Sequence, residues 1–243
     1  MNIKLAVRLL RVFLHLVIGL AICALVFPWA GAARRDEAIR RWSRRLLGIC
    51  GVSVETRGEV FALAHALVVA NHVSWLDIFV INSLHPCRFV AKSEIRAWPV
   101  LGYLVAQAGT VFIARGNRRD LRHAFKGLVR SLEQGERVAF FPEGTTAAQG
   151  VLMPFHANLF EAAIDAGVMV QPYALQYLNA DGSLHPTVDF TGDVTFAASI
   201  VAILSGAAVR ARLVCLPAID ARGAHRRDLA AGAAQAVAAE LAR

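Results

Sequence analysis

The chain has 243 residues, of which 56% are hydrophobic, and its mean hydropathy is +0.49. This composition excludes a disordered or fibrous protein, and the length suits one sizeable core with an appendage. The formal net charge is +8, but residues 1–50 hold nine basic and two acidic residues while the remainder is nearly neutral. A nucleic-acid binder needs a basic stripe on its folded face. The localised charge therefore predicts no nucleic-acid partner, and a terminal segment that meets an anionic membrane surface.

The first 50 residues begin with an apolar run. Residues 12–33 contain one ionisable group, His15, and as a helix they would be about 33 Å long, enough to span a bilayer or to lie in one leaflet. A cleaved signal peptide is the alternative, since basic residues precede the run and Ala-Gly-Ala stands at its end. The run is longer than a usual signal core, and the basic flank that follows resists translocation. A retained membrane anchor is therefore the favoured interpretation.

The basic flank, residues 34–49, predicts a short amphipathic helix suited to anionic headgroups, and an ordinary solvated helix face is the alternative. Six arginines follow the apolar run and three basic residues precede it. The positive-inside tendency then places the rest of the chain on the cytoplasmic side of the inner membrane. We expect residues 1–50 to form a membrane-anchoring segment and residues 51–243 to form one domain.

After residue 51, short apolar runs alternate with helical patterns. The predicted strands are 52–56, 66–70, 87–91, 110–114, 137–141, 168–175 and 209–216. The predicted helices are 75–84, 93–108, 118–134, 159–166, 196–204 and 226–241. Strands rich in Val, Ile and Phe that are separated by helices indicate an α/β fold with a mostly parallel sheet flanked by helices.

The four cysteines, Cys23, Cys50, Cys87 and Cys215, lie far apart, without a CxxC pair or a neighbouring histidine at ligand spacing. A zinc site or a disulfide framework is therefore not expected, and we predict no metal. The cysteines are interpreted as small apolar core residues of a reduced compartment.

The first chemical motif, NHVSWLD at residues 71–77, follows an apolar strand and opens a helix. His72 is therefore expected at the carboxyl end of a strand, where open α/β sheets place their sites. A histidine can take a proton from a hydroxyl, and Asp77 can orient its imidazole and stabilise the imidazolium. No GxSxG elbow is present, so the attacking hydroxyl is expected to belong to the substrate. The alternative for Asp77 is purely structural: with Ser74 it fits a helix capping box.

Two further segments carry polar groups at strand ends. FFPEGTT at residues 140–146 runs into a glycine turn, where Glu143, Thr145, Thr146 and the amides near Gly144 could hold a polar headgroup. GTVFIAR at residues 109–115 ends in Arg115, which could bind a phosphate through two hydrogen bonds or be a solvated strand-end arginine.

Together these motifs resemble the glycerolipid acyltransferase family, whose best-known members are 1-acylglycerol-3-phosphate acyltransferases. NHxxxxD matches at Asn71, His72 and Asp77, the second block at 109–115, FPEGT at 141–145, and a proline-centred block loosely at 168–173. The resemblance covers residues 50–218. It implies a glycerolipid acyltransferase-like domain with His72 as general base, Asp77 as its partner, Arg115 as a phosphate contact, and Glu143 and Gly144 in the acceptor site.

The resemblance implies an O-acyltransferase of phospholipid biosynthesis. Its acceptor partner would be a lyso-lipid of the membrane, most often 1-acylglycerol 3-phosphate, and its co-substrate acyl-CoA or acyl carrier protein, with no cofactor. One position departs from the pattern: Thr146 stands where members that use phosphate acceptors usually carry arginine. A missing guanidinium removes a charge-assisted contact of about 1.5 to 3 kcal/mol. Candidates to replace it are Lys92, Arg118, Arg119 and Arg122.

Three alternatives stay open. The acceptor could be another lyso-lipid, such as a lysophospholipid or lyso-ornithine lipid. The protein could be a non-catalytic lipid-binding protein that kept the fold, although the intact His72 and Asp77 pair favours an enzyme. A serine hydrolase is a weaker hypothesis, because the chain lacks the nucleophile elbow and a third triad member.

Overall fold

A computed structural model describes residues 3–58, 63, 65–113 and 118–243, with the backbone only for residues 118–121. Its described part contains an eight-stranded sheet of order β1-β7-β6-β2-β5-β3-β4, with β8 on β6. The strands are β1 Val52–Arg57, β2 Leu67–Ala70, β3 Arg88–Lys92, β4 Val111–Ile113, β5 Val138–Phe140, β6 Met169–Leu178, β7 Val209–Cys215 and β8 Ile219–Asp220. All pairs are parallel except β6 with β7 and β6 with β8, so the prediction of a mostly parallel sheet is confirmed.

Helices cover both faces of the sheet. They are α1 Ile3–Leu25, α2 Ala32–Cys50, α3 Leu76–Leu84, α4 Leu101–Gln107, α5 Arg118–Glu133, α6 Glu161–Ala166, α7 Phe196–Ser205 and α8 Arg226–Leu241. Successive strand residues point to opposite faces, so Val68 and Ala70 pack with α2, α3 and α7, while Leu67 and Val69 pack with α5, α6 and α8. The sheet is therefore buried between two helical layers, which explains its near-continuous apolar strands.

Two helix predictions were wrong in their limits. The predicted helix 93–108 is split into a 3₁₀ turn, Ser93–Ala97, and α4. Pro99 keeps the preceding Trp98 in an extended conformation and cannot donate a hydrogen bond, so one continuous helix cannot form. The apolar helix predicted at 12–33 begins earlier, at Ile3, and ends at Leu25, because Pro28 lies in a 3₁₀ turn, Phe27–Trp29, that separates α1 from α2.

Within the segment Ile3–Trp29, a stretch of 18 residues has a mean hydropathy of 2.5, and the segment is long and apolar enough to cross a membrane. One side of α1 packs on the body: Arg8 Nη1 donates to the Leu204 carbonyl at 2.8 Å. The other side exposes large apolar residues, among them Leu10, Phe13 and Val17. A bare apolar helix face of this size is typical of membrane association.

The predicted basic amphipathic helix is α2. Five of its six arginines are exposed and Arg40 is partly buried, whereas Leu46, Leu47 and Cys50 are buried in the same core cluster as the sheet. The helix ends at Gly51, whose φ of 76° is in the left-handed region that glycine adopts freely. The predicted boundary between residues 50 and 51 lies at this helix end, but α2 shares its core with the body.

Candidate active site

The loop that follows β2 is fixed to the neighbouring strand by Asn71. Its side-chain amide donates to the Leu175 carbonyl at 2.9 Å, and its side-chain oxygen accepts the Leu175 N–H at 2.8 Å. These two bonds continue the pairing of β2 with β6 beyond the last ladder pair, Ala70 and Tyr173. Asn71 therefore places the next residue, His72, at the carboxyl edge of the sheet, as the sequence predicts.

His72 and Asp77 form the predicted pair. His72 Nδ1 lies 2.7 Å from Asp77 Oδ2. Because an ionised carboxylate only accepts hydrogen bonds, Nδ1 carries the proton and Nε2 keeps a lone pair, to which no described residue donates. The ring stacks on Phe141 with centroids 3.9 Å apart, and its side chain is 19% exposed. This geometry leaves one ring nitrogen accessible, as a general base requires.

Asp77 is fully buried and both of its oxygens have donors. Besides His72, Oδ2 accepts the backbone N–H groups of Val73 at 2.7 Å and Ser74 at 3.0 Å. Oδ1 accepts the Tyr177 hydroxyl at 2.6 Å. The helix α3 begins after Trp75 and has no side-chain cap, and the Ser74 hydroxyl has no partner among the described residues, so the predicted capping box is not formed. One carboxylate oxygen thus holds both the His72 imidazole and the backbone of the loop before α3.

Glu143, after β5, is buried and joins two loops. Its Oε1 accepts the His72 N–H at 2.6 Å and its Oε2 accepts the Met153 N–H at 2.8 Å. Burial raises the pKa of this carboxyl above its ordinary value, and the two backbone bonds partly offset that rise. Both oxygens already have backbone partners, which favours a role in holding the His72 loop; its contact with an acceptor stays a prediction.

The glycine turn places the remaining residues of the FPEGT block. Gly144 has a φ of 70°, which other residues rarely adopt. Thr145 is exposed at the edge of the sheet that carries His72. The Thr146 hydroxyl donates to the Phe190 carbonyl, which ties the turn to the segment before α7. Thr146 is thus engaged in the fold.

Arg115 lies outside the described residues, and its phosphate contact stays a prediction. So do the side chains of Arg118 and Arg119. Lys92 is exposed at the carboxyl end of β3, the edge that carries His72, and Arg122 is exposed on α5. The described residues contain no group of three His, Cys, Asp or Glu side chains that could hold a metal ion.

Two features were missed from the sequence. Tyr177 carries no motif signal, because it is 100 residues from the carboxylate it contacts. The second is an apolar cavity of about 110 Å³ between α1, α2, α3 and α4. Phe89 lines this cavity and stacks on Phe141 at 5.9 Å, and Phe141 stacks on His72. The phenylalanine that opens the FPEGT block, Phe141, is the one sequence signal that could have indicated this link between the cavity and His72.

Comparisons with known proteins agree on one family. The acyltransferase family model matches residues 52–176. The 1-acyl-sn-glycerol-3-phosphate acyltransferase of Neisseria meningitidis is 43% identical over 151 residues, which are 61% of this chain and 58% of that protein. The lyso-ornithine lipid O-acyltransferase of Pseudomonas aeruginosa is 36% identical over 97% of this chain and 93% of that protein. The chain thus spans little more than half of the first relative and nearly all of the second.

The crystal structure of the 1-acyl-sn-glycerophosphate (LPA) acyltransferase from Thermotoga maritima has a TM-score of 0.67 and covers 97% of this chain and 96% of its own. At 20% identity this likeness supports the fold alone. The predictions of fold and family are thereby confirmed, and the chain belongs to the glycerolipid acyltransferase family.

Proposed function

We propose that the protein is an O-acyltransferase that moves a fatty acyl chain from an acyl thioester to the free hydroxyl of a lyso-lipid. The observation that carries this proposal is the His72–Asp77 pair, joined at 2.7 Å with Nε2 open. No described serine or cysteine contacts Nε2, which favours a substrate hydroxyl as the attacking group. The thioester, acyl-CoA or acyl carrier protein, is a co-substrate, and the proposed reaction needs no cofactor.

The proposed reaction has two proton transfers. Nε2 of His72 takes the proton of the acceptor hydroxyl as its oxygen attacks the thioester carbonyl. Asp77 stabilises the imidazolium that forms, and the Thr145 hydroxyl and the turn amides are the proposed donors to the oxyanion. When the tetrahedral intermediate collapses, the carbon–sulfur bond breaks and the imidazolium returns its proton to the leaving thiolate. The products are an ester and a free thiol.

The apolar cavity supports a lipid substrate. It lies behind the Phe89–Phe141 stack, and its lining residues are mostly aliphatic and aromatic, including Ile22, Phe79 and Leu104. An alkyl chain loses unfavourable contact with water when it enters such a site, at about 0.8 kcal/mol per methylene. We propose that the acyl chain lies there with its reacting carbonyl at His72.

The proposed acceptor is 1-acylglycerol 3-phosphate, for which the Neisseria relative is named. Arg115 is the proposed phosphate contact, and Gly144, Thr145 and Thr146 would line the same site. A second candidate is a lyso-ornithine lipid, because the relative that matches 97% of this chain is named for it and Thr146 stands in place of the usual arginine.

A direct test follows acceptor-dependent thiol release by the purified protein. Acyl-CoA and acyl carrier protein are each offered with 1-acylglycerol 3-phosphate, lyso-ornithine lipid or a lysophospholipid, and products are identified by mass spectrometry. We expect one acceptor to dominate. Absence of thiol release with every pair would overturn the enzyme proposal and leave a lipid-binding protein.

The Thr146→Arg variant separates the two acceptors. If the acceptor is 1-acylglycerol 3-phosphate, the added guanidinium should lower its KM by up to about tenfold. For a zwitterionic headgroup the same arginine should reduce use of the acceptor. Thr146→Val is the control for the lost bond to Phe190.

The Arg115→Ala variant tests the proposed phosphate contact. It should reduce activity more with phosphate-bearing acceptors than with phosphate-free ones. Equal losses of activity with both kinds of acceptor would contradict a role of Arg115 in headgroup binding.

We also propose that α1 and α2 anchor the protein in the inner membrane with residues 51–243 facing the cytoplasm, where acyl thioesters are found. The excess of arginine after α1 supports this orientation. Protease digestion of sealed vesicles of known orientation tests it: cleavage of the body from the cytoplasmic side is expected, and cleavage from the other side alone would reverse the assignment.

A further inference from the structure

We infer that Tyr177 is a positioning residue for the catalytic pair: its hydroxyl holds Asp77 so that Oδ2 faces the His72 imidazole. This inference rests on the proposed function, in which His72 acts as a base. Tyr177 does not touch the reacting atoms. It acts through Asp77 Oδ1, to which its hydroxyl donates at 2.6 Å.

The backbone around Tyr177 fixes the position of that hydroxyl. Tyr177 lies two residues beyond Leu175, to which Asn71 is bonded, so the anchor of the His72 loop and this side chain lie on one strand. Its N–H donates to Gln149 Oε1 at 2.6 Å, and its carbonyl accepts the His185 N–H at 2.8 Å. Its side chain is fully buried, so the ring has no room to turn away.

Asp77 needs this donor because it carries its charge out of contact with water. Three groups donate to Oδ2, whereas the only described donor to Oδ1 is Tyr177. A buried carboxylate oxygen without a donor is strongly destabilised. Burial, followed by the Asp77 charge, raises the pKa of the Tyr177 phenol well above its ordinary value, so the hydroxyl keeps its proton at every working pH.

Loss of the hydroxyl should change both the orientation of the Asp77 carboxylate and how strongly its charge acts on His72. With Oδ1 unpaired, the carboxylate charge is offset less and attracts the imidazolium more strongly, so His72 keeps its second proton to a higher pH. Of the other titratable groups in the described part of the chain, Glu143 accepts the His72 N–H and interacts electrostatically with the pair, and His156 lies beside Gly144, the residue after Glu143. They are the same in every variant compared below.

The first experiment compares Tyr177→Phe with Tyr173→Phe. Tyr173 is equally buried on the same strand, but its hydroxyl interacts with Cys215, away from the pair. For Tyr177→Phe we expect kcat to fall by about threefold to 30-fold, with both KM values nearly unchanged and the acid limb of the pH profile moved to higher pH. Tyr173→Phe should leave the profile in place. Equal profiles for the two variants would overturn the inference.

A second measurement does not depend on catalysis. The ¹⁵N shifts of the His72 ring, assigned by their loss in His72→Ala, report its titration in the substrate-free protein. We expect the same upward shift in Tyr177→Phe, and an unchanged titration would overturn the positioning role. If the wild-type protein transfers no acyl group, the proposed function fails, and this titration still decides what Tyr177 does to the pair.

A third variant leaves no cavity, in case Tyr177→Phe does not fold. The chain has three tyrosines, so Tyr103→Phe with Tyr173→Phe leaves Tyr177 alone to take up 3-fluorotyrosine. Fluorine makes the phenol a stronger donor, which should move the His72 titration to lower pH, opposite to the effect of phenylalanine. A shift in the same direction, or none, would contradict the inference.

Discussion

Two histidines, His15 in α1 and His72 in the loop after β2, both stack on an aromatic ring, but their hydrogen-bond partners differ. His15 stacks on Trp42 at 4.4 Å, as His72 stacks on Phe141 at 3.9 Å. His15 Nε2 donates to the Trp42 carbonyl at 2.9 Å, and Trp42 Nε1 donates back to the His15 carbonyl at 3.1 Å. The partner of His72 is the carboxylate of Asp77.

This difference is the one expected between a histidine that stabilises the fold and one that transfers protons. A carbonyl fixes a neutral ring but has no full charge to stabilise an imidazolium, whereas a carboxylate does both. His15 is 5% exposed and holds α1 against α2, while His72 keeps Nε2 open. The identity of the hydrogen-bond partner, rather than burial or stacking, therefore indicates which ring can move a proton.

Alanine at each position gives the largest contrast. His72→Ala should lower turnover by about 100-fold to 10,000-fold with the fold intact, because the base is lost. His15→Ala should lower the melting temperature by about 5 °C, because a buried hydrogen bond and a ring stack are lost, and leave turnover per folded molecule within about twofold. Thiol release and thermal melts measure both. Near-normal turnover in His72→Ala would contradict the assignment of the base.

Asp77→Asn removes the negative charge that lies beside His72 and has no counterpart beside His15. Asparagine retains an oxygen for the amides of Val73 and Ser74 but cannot stabilise an imidazolium. We expect turnover to fall by about 100-fold with little change in melting temperature. Asp77→Ala, which also loses the acceptor of the Val73 and Ser74 amides, should have a lower melting temperature. A large loss of stability with normal turnover in the asparagine variant would make Asp77 a structural residue alone.

Substitutions on the exposed face of α1 test whether the helix pair α1–α2 binds membranes. Leu10 and Phe13 are 57% and 61% exposed, so Leu10→Glu with Phe13→Glu should leave the fold unchanged. Binding to anionic vesicles should fall at least about tenfold, because apolar surface no longer enters the bilayer. Gln134→Glu, exposed after α5, is the control in sedimentation assays. Unchanged binding would place the membrane contact on the body.

Glu143→Gln should have the smallest effect, on turnover by about threefold to tenfold, because one backbone N–H that supports His72 loses its acceptor. The pH dependence of folding stability is a more specific test of this residue than turnover. Since burial raises the pKa of Glu143, the folded state takes up this proton more readily than the unfolded state. The wild-type protein therefore loses stability as the pH rises from the ordinary glutamate pKa through the raised value. In urea unfolding at several pH values, the Glu143→Gln variant should not show this loss of stability. Parallel plots of unfolding free energy against pH for the wild-type protein and the variant would contradict the prediction.

The sequence predicts the strands well because each is a short apolar run that the sheet buries on both faces. It misses β8, since Ile219–Asp220 is too short to show a pattern. The His72–Asp77 pair is predictable because its members are only five positions apart, across a loop and a helix start. Tyr177 is not, because only the pairing of β2 with β6 brings it to Asp77. The partners of Glu143 are backbone amides, which leave no trace in residue identity.

The exposed apolar side of α1 also bears on how the kinetics of the proposed reaction would be measured. A protein held in the interface searches for a lipid acceptor by lateral diffusion in two dimensions. Its rate then depends on the mole fraction of acceptor among the surrounding lipids, while the dissolved thioester still arrives from bulk solution. Diluting the acceptor with inert phospholipid at constant total acceptor should therefore slow the reaction. The rate should depend on the mole fraction of the acceptor in the membrane and on the bulk concentration of the thioester.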